Sequence, residues 1–245
     1  MNKGQNRTRI LIPMKNTPLV ISLLLNILLI ALFAFILTKL GGARYVYFKM
    51  KNRGVAGVYM HRKNIFEKLP KDSTDVVFLG DSLTEQCPWD ELFPDVDLKN
   101  RAIEGDMTDG LLDRLEVVTA LTPQKLFLLI GVNDLLFHSP DYIVENYKKI
   151  ITNISQQSPS TKVFVQSLLP VNNNVRNTGV KNKDILEINR QLKTLSKDKG
   201  LIFIDLHTKL ANEEGLLPER FTSDGIHLNG EAYQLWQEEI ESFVH

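Results

Sequence analysis

The sequence predicts a three-layer α/β/α domain with a five-stranded parallel sheet, preceded by one N-terminal transmembrane helix. Three observations predict it. Five short strand-like runs lie in the body of the chain, most of them apolar on both faces, as a covered parallel sheet requires. Segments with apolar residues at helical spacing fill the gaps, and strand–helix alternation implies right-handed crossovers with helices on both faces. Ahead of all of these, residues 19–37 form an uncharged stretch of 19 residues interrupted only by Ser22 and Asn26.

At about 1.5 Å per residue that stretch spans roughly 28 Å, close to the hydrocarbon thickness of a bilayer. A cleaved signal peptide has an apolar region of about 7–15 residues and a small-residue cleavage site. Here the run is longer, and residues 38–42 (TKLGG) offer no such site. The expectation is a basic tail over residues 1–18, an uncleaved anchor over 19–40, a juxtamembrane stalk over 41–72 and the folded domain over 73–245. Tyr45, Tyr47 and Phe48 then fall at interface depth. Residues 1–53 carry nine basic side chains and no acid. All 29 acids come later, with only 20 basic residues, so the neutral total joins a basic head to a body at −9. Four basic residues precede the span and five follow it closely, so the positive-inside rule barely discriminates. A short tail ahead of a single span usually stays inside. That places the body outside the cytoplasm, on a single-pass protein of the cell membrane.

The first strand is expected at residues 75–80 (DVVFLG) and a weaker one at 96–100. Further strands are expected at 125–131, 162–169 and 201–205. Leu111, Leu112, Leu115 and Val118 make one helical stripe after Thr108. Ile143, Tyr147, Ile150, Ile151 and Ile154 make the next, behind Ser139 and Pro140, a cap followed by a first-turn proline. Ile185, Ile188, Leu192 and Leu195 form a third. Tyr233, Trp236, Ile240 and Phe243 form a fourth after a cap at Asn229. Residues 172–183 read as a polar loop over the strand ends.

Composition narrows the function classes. With 43% hydrophobic and 24% charged residues the chain is an ordinary globular one, not a disordered one. One cysteine, Cys87, excludes an intramolecular disulfide framework and a Cys-rich zinc site. Zero net charge gives no argument for a nucleic-acid partner. The chain contains no G-x-x-x-x-G-K, no H-E-x-x-H and no G-x-G-x-x-G.

In open parallel sheets chemistry collects at the carboxyl ends of strands. There the sequence places Gly80-Asp81-Ser82-Leu83-Thr84, then Asn100-Arg101-Ala102-Ile103-Glu104-Gly105, then Gly131-Val132-Asn133-Asp134. Near the C-terminus stands Asp224-Gly225-Ile226-His227. Each piece alone is weak. Together they supply the parts of acyl transfer. A serine hydroxyl needs a base to take its proton, and His227 is a candidate base for Ser82. Asp224, three residues earlier, can curl back to hold the imidazole tautomer. An oxyanion needs preorganised donors, for which the N–H of Ser82, the N–H of Gly105 and the amide of Asn133 are candidates. Thr84 stands where the last glycine of the α/β-hydrolase elbow G-x-S-x-G would be.

These four blocks, in this order, resemble those of the SGNH (GDSL) hydrolase superfamily over residues 73–245. The stretches GDSLTEQCPWDELFP at 80–94, NRAIEGDMTDGLLDRL at 100–115 and SDGIHLNGEAYQLW at 223–236 resemble its platelet-activating-factor acetylhydrolase-like branch. Met107 in place of a threonine, and the stretch after Asn133, depart from that pattern. The resemblance implies a flavodoxin-like sheet, no metal and no cofactor. It implies Ser82 as nucleophile, Asp224 and His227 as its partners, and Gly105 and Asn133 as oxyanion donors. The function implied is a membrane-anchored serine esterase or acylhydrolase acting on short acyl esters of lipid, glycan or small molecule. The alternative is a non-catalytic anchored module that binds acylated surface ligands. An intact Ser82, Asp224 and His227 argues against that alternative. Trp89 and Phe93 read equally as pocket wall or core, and Arg101 as ion-pair partner or site residue. Asp81 reads as a turn-stabilising acceptor, His138 as a loop residue and His207 as structural.

Overall fold

A computed structural model of the chain describes residues 17–39 and 53–245. Most of the expected basic tail, and the stalk as far as residue 52 with Tyr45, Tyr47 and Phe48, lie outside the described residues. Two compact units separate, Met1–Lys51 and Asn52–His245. In the first, Thr17–Lys39 (α1) is one continuous helix. Its Pro18–Ile36 portion is long and apolar enough to cross a membrane, and none of it is buried.

The second unit opens with a helix, Arg53–Lys68 (α2), inside the segment expected as a stalk. Phe66 on that helix is buried, so this part of the segment packs onto the domain. Five strands follow: β1 (Val76–Gly80), β2 (Leu98–Asn100), β3 (Lys125–Leu129), β4 (Lys162–Gln166) and β5 (Ile202–Ile204). They form one sheet in the order β2-β1-β3-β4-β5, and every pairing is parallel. The chain runs outward from β1 to β2, then crosses back to β3. The gap between β1 and β3 is therefore the topological switch point, where open α/β sheets place their ligands. The expected strand at 162–169 stops at Gln166. Beyond it the side-chain amide of Asn189, not another strand, holds both the N–H (2.8 Å) and the carbonyl (2.9 Å) of Leu168.

Phe78, Phe127 and Phe164 are in register on β1, β3 and β4, so they share one face. They stack at 5.0 and 4.6 Å between centroids. Trp89 caps this row at 4.1 Å from Phe78, and Trp236 meets Trp89 edge-on at 5.1 Å. Trp89 and Phe93 therefore fill the core and do not wall a pocket. Truncating such an aromatic typically costs about 3–5 kcal/mol.

The short helices are α3 (Ser82–Glu85), α4 (Trp89–Leu92), α5 (Thr108–Asp113), α6 (Leu115–Thr119) and α9 (Leu206–Leu210). The long ones are α7 (Pro140–Gln157), α8 (Asn182–Lys199) and α10 (Gly230–Val244). Ser139 caps α7 by accepting from the Tyr142 N–H, and Asn229 caps α10 by accepting from the Ala232 N–H, both as the sequence indicates. A helical expectation fails as well. The stripe from Leu111 to Val118 is not one helix but two, broken at Arg114 (φ −121, ψ 11). Arg114 turns its guanidinium inward, where Nη1 donates to the Arg101 carbonyl at 2.6 Å and Nε to Asp106 at 2.8 Å. A buried guanidinium must be paired, and that need overrides helix continuity.

Candidate active site

Ser82 stands where β1 ends and α3 begins. The turn needs Gly80: a Cβ there would lie 2.2 Å from the Leu129 carbonyl oxygen of β3 and 2.5 Å from Thr84 Oγ1. Asp81 caps the turn by accepting from the Leu83 N–H at 3.1 Å, the role expected of it. Burial lifts its carboxyl to about 7. The turn is anchored by side chains outside it. Tyr233 Oη donates to the Leu83 carbonyl (2.9 Å), Trp89 Nε1 to that of Thr84 (2.9 Å), and Asn100 Nδ2 to that of Thr84 as well (3.0 Å).

The structure brings Ser82, His227 and Asp224 together. His227 Nε2 lies 3.0 Å from Ser82 Oγ, and His227 Nδ1 lies 2.6 Å from Asp224 Oδ2. The other carboxylate oxygen of Asp224 accepts from the N–H groups of Ile226 (3.0 Å) and His227 (2.9 Å). Partial burial pushes the Asp224 carboxyl up, but the hydrogen bonds from the His227 ring and from these two N–H groups outweigh it and hold it at about 2. Asp224 is thus an ionised acceptor beside the His227 ring. The tight turn between acid and base needs Gly225, at φ +84, where a Cβ would sit 2.4 Å from the Asn172 carbonyl oxygen. The Asn172 N–H in turn donates to the Gly225 carbonyl at 2.8 Å, so the polar loop after β4 steadies the histidine loop.

The remaining candidates lie on two neighbouring loops. Asn133 Nδ2 donates to the carbonyl of Asp106 at 3.0 Å, one residue beyond Gly105. This ties the end of β3 to the loop after β2 and leaves the second amide hydrogen of Asn133 for another acceptor. The N–H groups of Ser82 and Gly105 make no hydrogen bond among the described residues.

A layer of polar side chains that the sequence reading did not single out lies behind these loops. Asp106 pairs with Arg114 at 2.7 Å, both almost wholly buried. Burial pushes the Asp106 carboxyl up, against the pull of the guanidinium. Asp134 accepts from the Thr108 N–H and hydroxyl, and Asn146 Nδ2 donates to that hydroxyl at 2.9 Å. Burial raises Asp134 to about 7. Each of these aspartates follows an oxyanion candidate by one residue, Gly105 or Asn133, and that adjacency is the sequence signal that could have found them. Arg101 has no carboxylate partner among the described residues. Its guanidinium lies 5.0 Å from the Phe66 ring centroid, and the buried ion pair of this region belongs to Arg114. His138 stacks on Tyr142 at 4.1 Å, and His207 is buried.

Residues 78–235 match the model of the GDSL-like Lipase/Acylhydrolase family. The chain belongs to that family. Membership supports acylhydrolase activity. The chain is 27% identical over 180 residues to platelet-activating factor acetylhydrolase IB subunit alpha1 of Homo sapiens, covering 71% of this chain and 76% of that one. It is 25% identical over 183 residues to an N-acylneuraminate cytidylyltransferase of Streptococcus agalactiae, 74% of this chain but only 41% of the other. Among solved structures it is similar to a GDSL-like lipase from Bacteroides thetaiotaomicron, with TM-score 0.65 and 21% identity over 76% of this chain and 96% of that one. That likeness shows the fold.

Proposed function

We propose that this GDSL-family acylhydrolase is a membrane-anchored serine esterase working through an acyl-enzyme. Ser82 attacks the ester carbonyl while His227 Nε2 takes its proton. Asp224 holds the imidazole tautomer and stabilises the imidazolium that forms. The tetrahedral oxyanion is met by the N–H groups of Ser82 and Gly105 and the free amide hydrogen of Asn133. Collapse breaks the carbon–oxygen bond, and His227 returns its proton to the departing alcohol. Water, deprotonated by His227, then attacks the acyl-Ser82 ester; collapse breaks the acyl–Oγ bond, His227 gives the proton to Ser82 Oγ, and the acid leaves. The observation carrying this reading is the unbroken chain from Ser82 Oγ to His227 (3.0 Å) to Asp224 (2.6 Å). The same chain argues against a non-catalytic binding module.

The acyl group in this proposal is short, because the relative at 27% identity is named for removing an acetyl group. The apolar helix at Thr17–Lys39 is taken as the anchor expected at residues 19–40, with the domain on the extracytoplasmic side. Hydrolysis of p-nitrophenyl esters of graded chain length tests the reading. Acetate and propionate should be cleaved fastest and long-chain esters slowly. Failure to cleave any ester of the series would overturn it.

A further inference from the structure

Helix α2 meets the surroundings of the Gly105 loop at three points, on α3, on α5 and on the loop itself. Arg62 Nε lies 3.2 Å from Glu85 Oε1, off the line of a hydrogen bond, so the contact is an ion pair. The other oxygen of Glu85 accepts from the N–H of Glu104, the residue before Gly105. Tyr59 Oη donates to the Gly110 carbonyl at 3.3 Å and bears on the Asp106 carboxyl, the residue after Gly105. Phe66, buried, is faced by the guanidinium groups of Arg62 and of Arg101 on the loop, each 5.0 Å from its centroid. Glu104, before Gly105, is thus held by Glu85 of α3, which Arg62 of α2 faces; Asp106, after it, lies against Gly110, which Tyr59 of α2 holds; and Glu85 lies only three residues from Ser82.

We infer that α2 is a working part of the active site, with Arg62 and Tyr59 as positioning residues that set the Gly105 N–H through Glu85–Glu104 on one side and Asp106–Gly110 on the other. This rests on the reading of Gly105 as an oxyanion donor. Arg62 and Glu85 are 38% and 21% exposed, so their pairing adds little to the stability of the fold. Its loss should be felt in the aim of the loop. A donor displaced by a fraction of an ångström weakens stabilisation of a charge that exists mainly in the transition state, so the cost should fall on kcat and not on KM.

The test is steady-state hydrolysis of p-nitrophenyl acetate by the full-length chain in mild detergent. Arg62→Ala should lose roughly tenfold in kcat, a part of the roughly 10²-fold that a ~1 Å misplacement costs, with KM within about twofold. Arg62→Lys should recover most of the loss. Glu85→Ala should cost at least as much as Arg62→Ala, and the double variant should be no worse than Glu85→Ala, because both act through one contact. Tyr59→Phe should also lower kcat, and His61→Ala, exposed on the same helix, should not. Arg62→Ala with unchanged kcat, a loss confined to KM, or Arg62→Ala and Glu85→Ala effects that simply multiply would overturn the inference. A wild type that is labelled at Ser82 by a fluorophosphonate while Arg62→Ala keeps full kcat would sink this inference alone. A wild type neither labelled nor active would remove the esterase reading, and this inference with it.

Discussion

Asp224 and His227 sit three residues apart on a loop, with side chains 31% and 34% exposed, and are held mainly by each other and by local N–H groups. Gly105 and Asn133 are backed instead by a buried layer in which Asp106, Arg114, Thr108, Asp134 and Asn146 bond across loops and helices far apart in the chain. The contrast follows from what each side must do in the proposed mechanism. There the imidazole takes and returns a proton and so changes charge beside an Asp224 that stays ionised, which water-accessible surroundings tolerate. The oxyanion donors must be fixed in place before charge arrives, and fixed backbone in turn needs buried, fully partnered supports.

The largest expected effect is on the triad. Ser82→Ala and His227→Ala should each lower kcat by several orders of magnitude, and the double variant should be little worse than either, because the groups act as a unit. Asp224→Asn should cost somewhat less. Independent, multiplying losses in the double variant would show that the two side chains do not share one step.

On the buried side the expected loss is smaller. Asn133→Ala should lose about 10²–10³ in kcat, roughly 2.7–4 kcal/mol, with KM within about threefold. Asn133→Asp should be no better, since a carboxylate repels the oxyanion. Intact kcat with raised KM would place Asn133 in ground-state binding and leave the oxyanion to Gly105 and Ser82.

The mildest effect concerns stability and pH. The Asp134 carboxyl is raised to about 7 in the folded chain, against about 3.9 in an unfolded one. Between those values the folded state holds a proton that the unfolded state has lost. Stability from this group is therefore present at low pH and declines as pH climbs through about 7. The Tm advantage of wild type over Asp134→Asn should be greater at pH 5 than at pH 8. An advantage that grows with pH would mean that Asp134 is held ionised by the Thr108 donors.

The triad side was almost entirely legible in the sequence. Gly80-Asp81-Ser82 and Asp224-Gly225-Ile226-His227 are short segments whose geometry is set locally, by a glycine that must turn and an acid three residues from its base. The strand order places β1 and β3 side by side, so the site lies at the switch point where strand-end motifs were expected to meet. The supports of the other side were not legible, because their partners are remote. Arg114 reads as one more residue in a helical stripe until Asp106 and the Arg101 carbonyl draw it inward and split the helix. Residues 53–68 read as part of a basic stalk, since Phe66, Arg62 and Tyr59, whose partners lie some 20–50 residues away in the chain, are what reveal that they pack on the domain.

The central claim, that Ser82 is a nucleophile activated by His227, is tested most directly by exposing the full-length chain to a fluorophosphonate and locating the adduct by peptide mass spectrometry. The account predicts a single adduct on Ser82 that is lost or strongly slowed in His227→Ala. Ester hydrolysis that persists with no adduct on Ser82, or with the adduct on another serine, would contradict it.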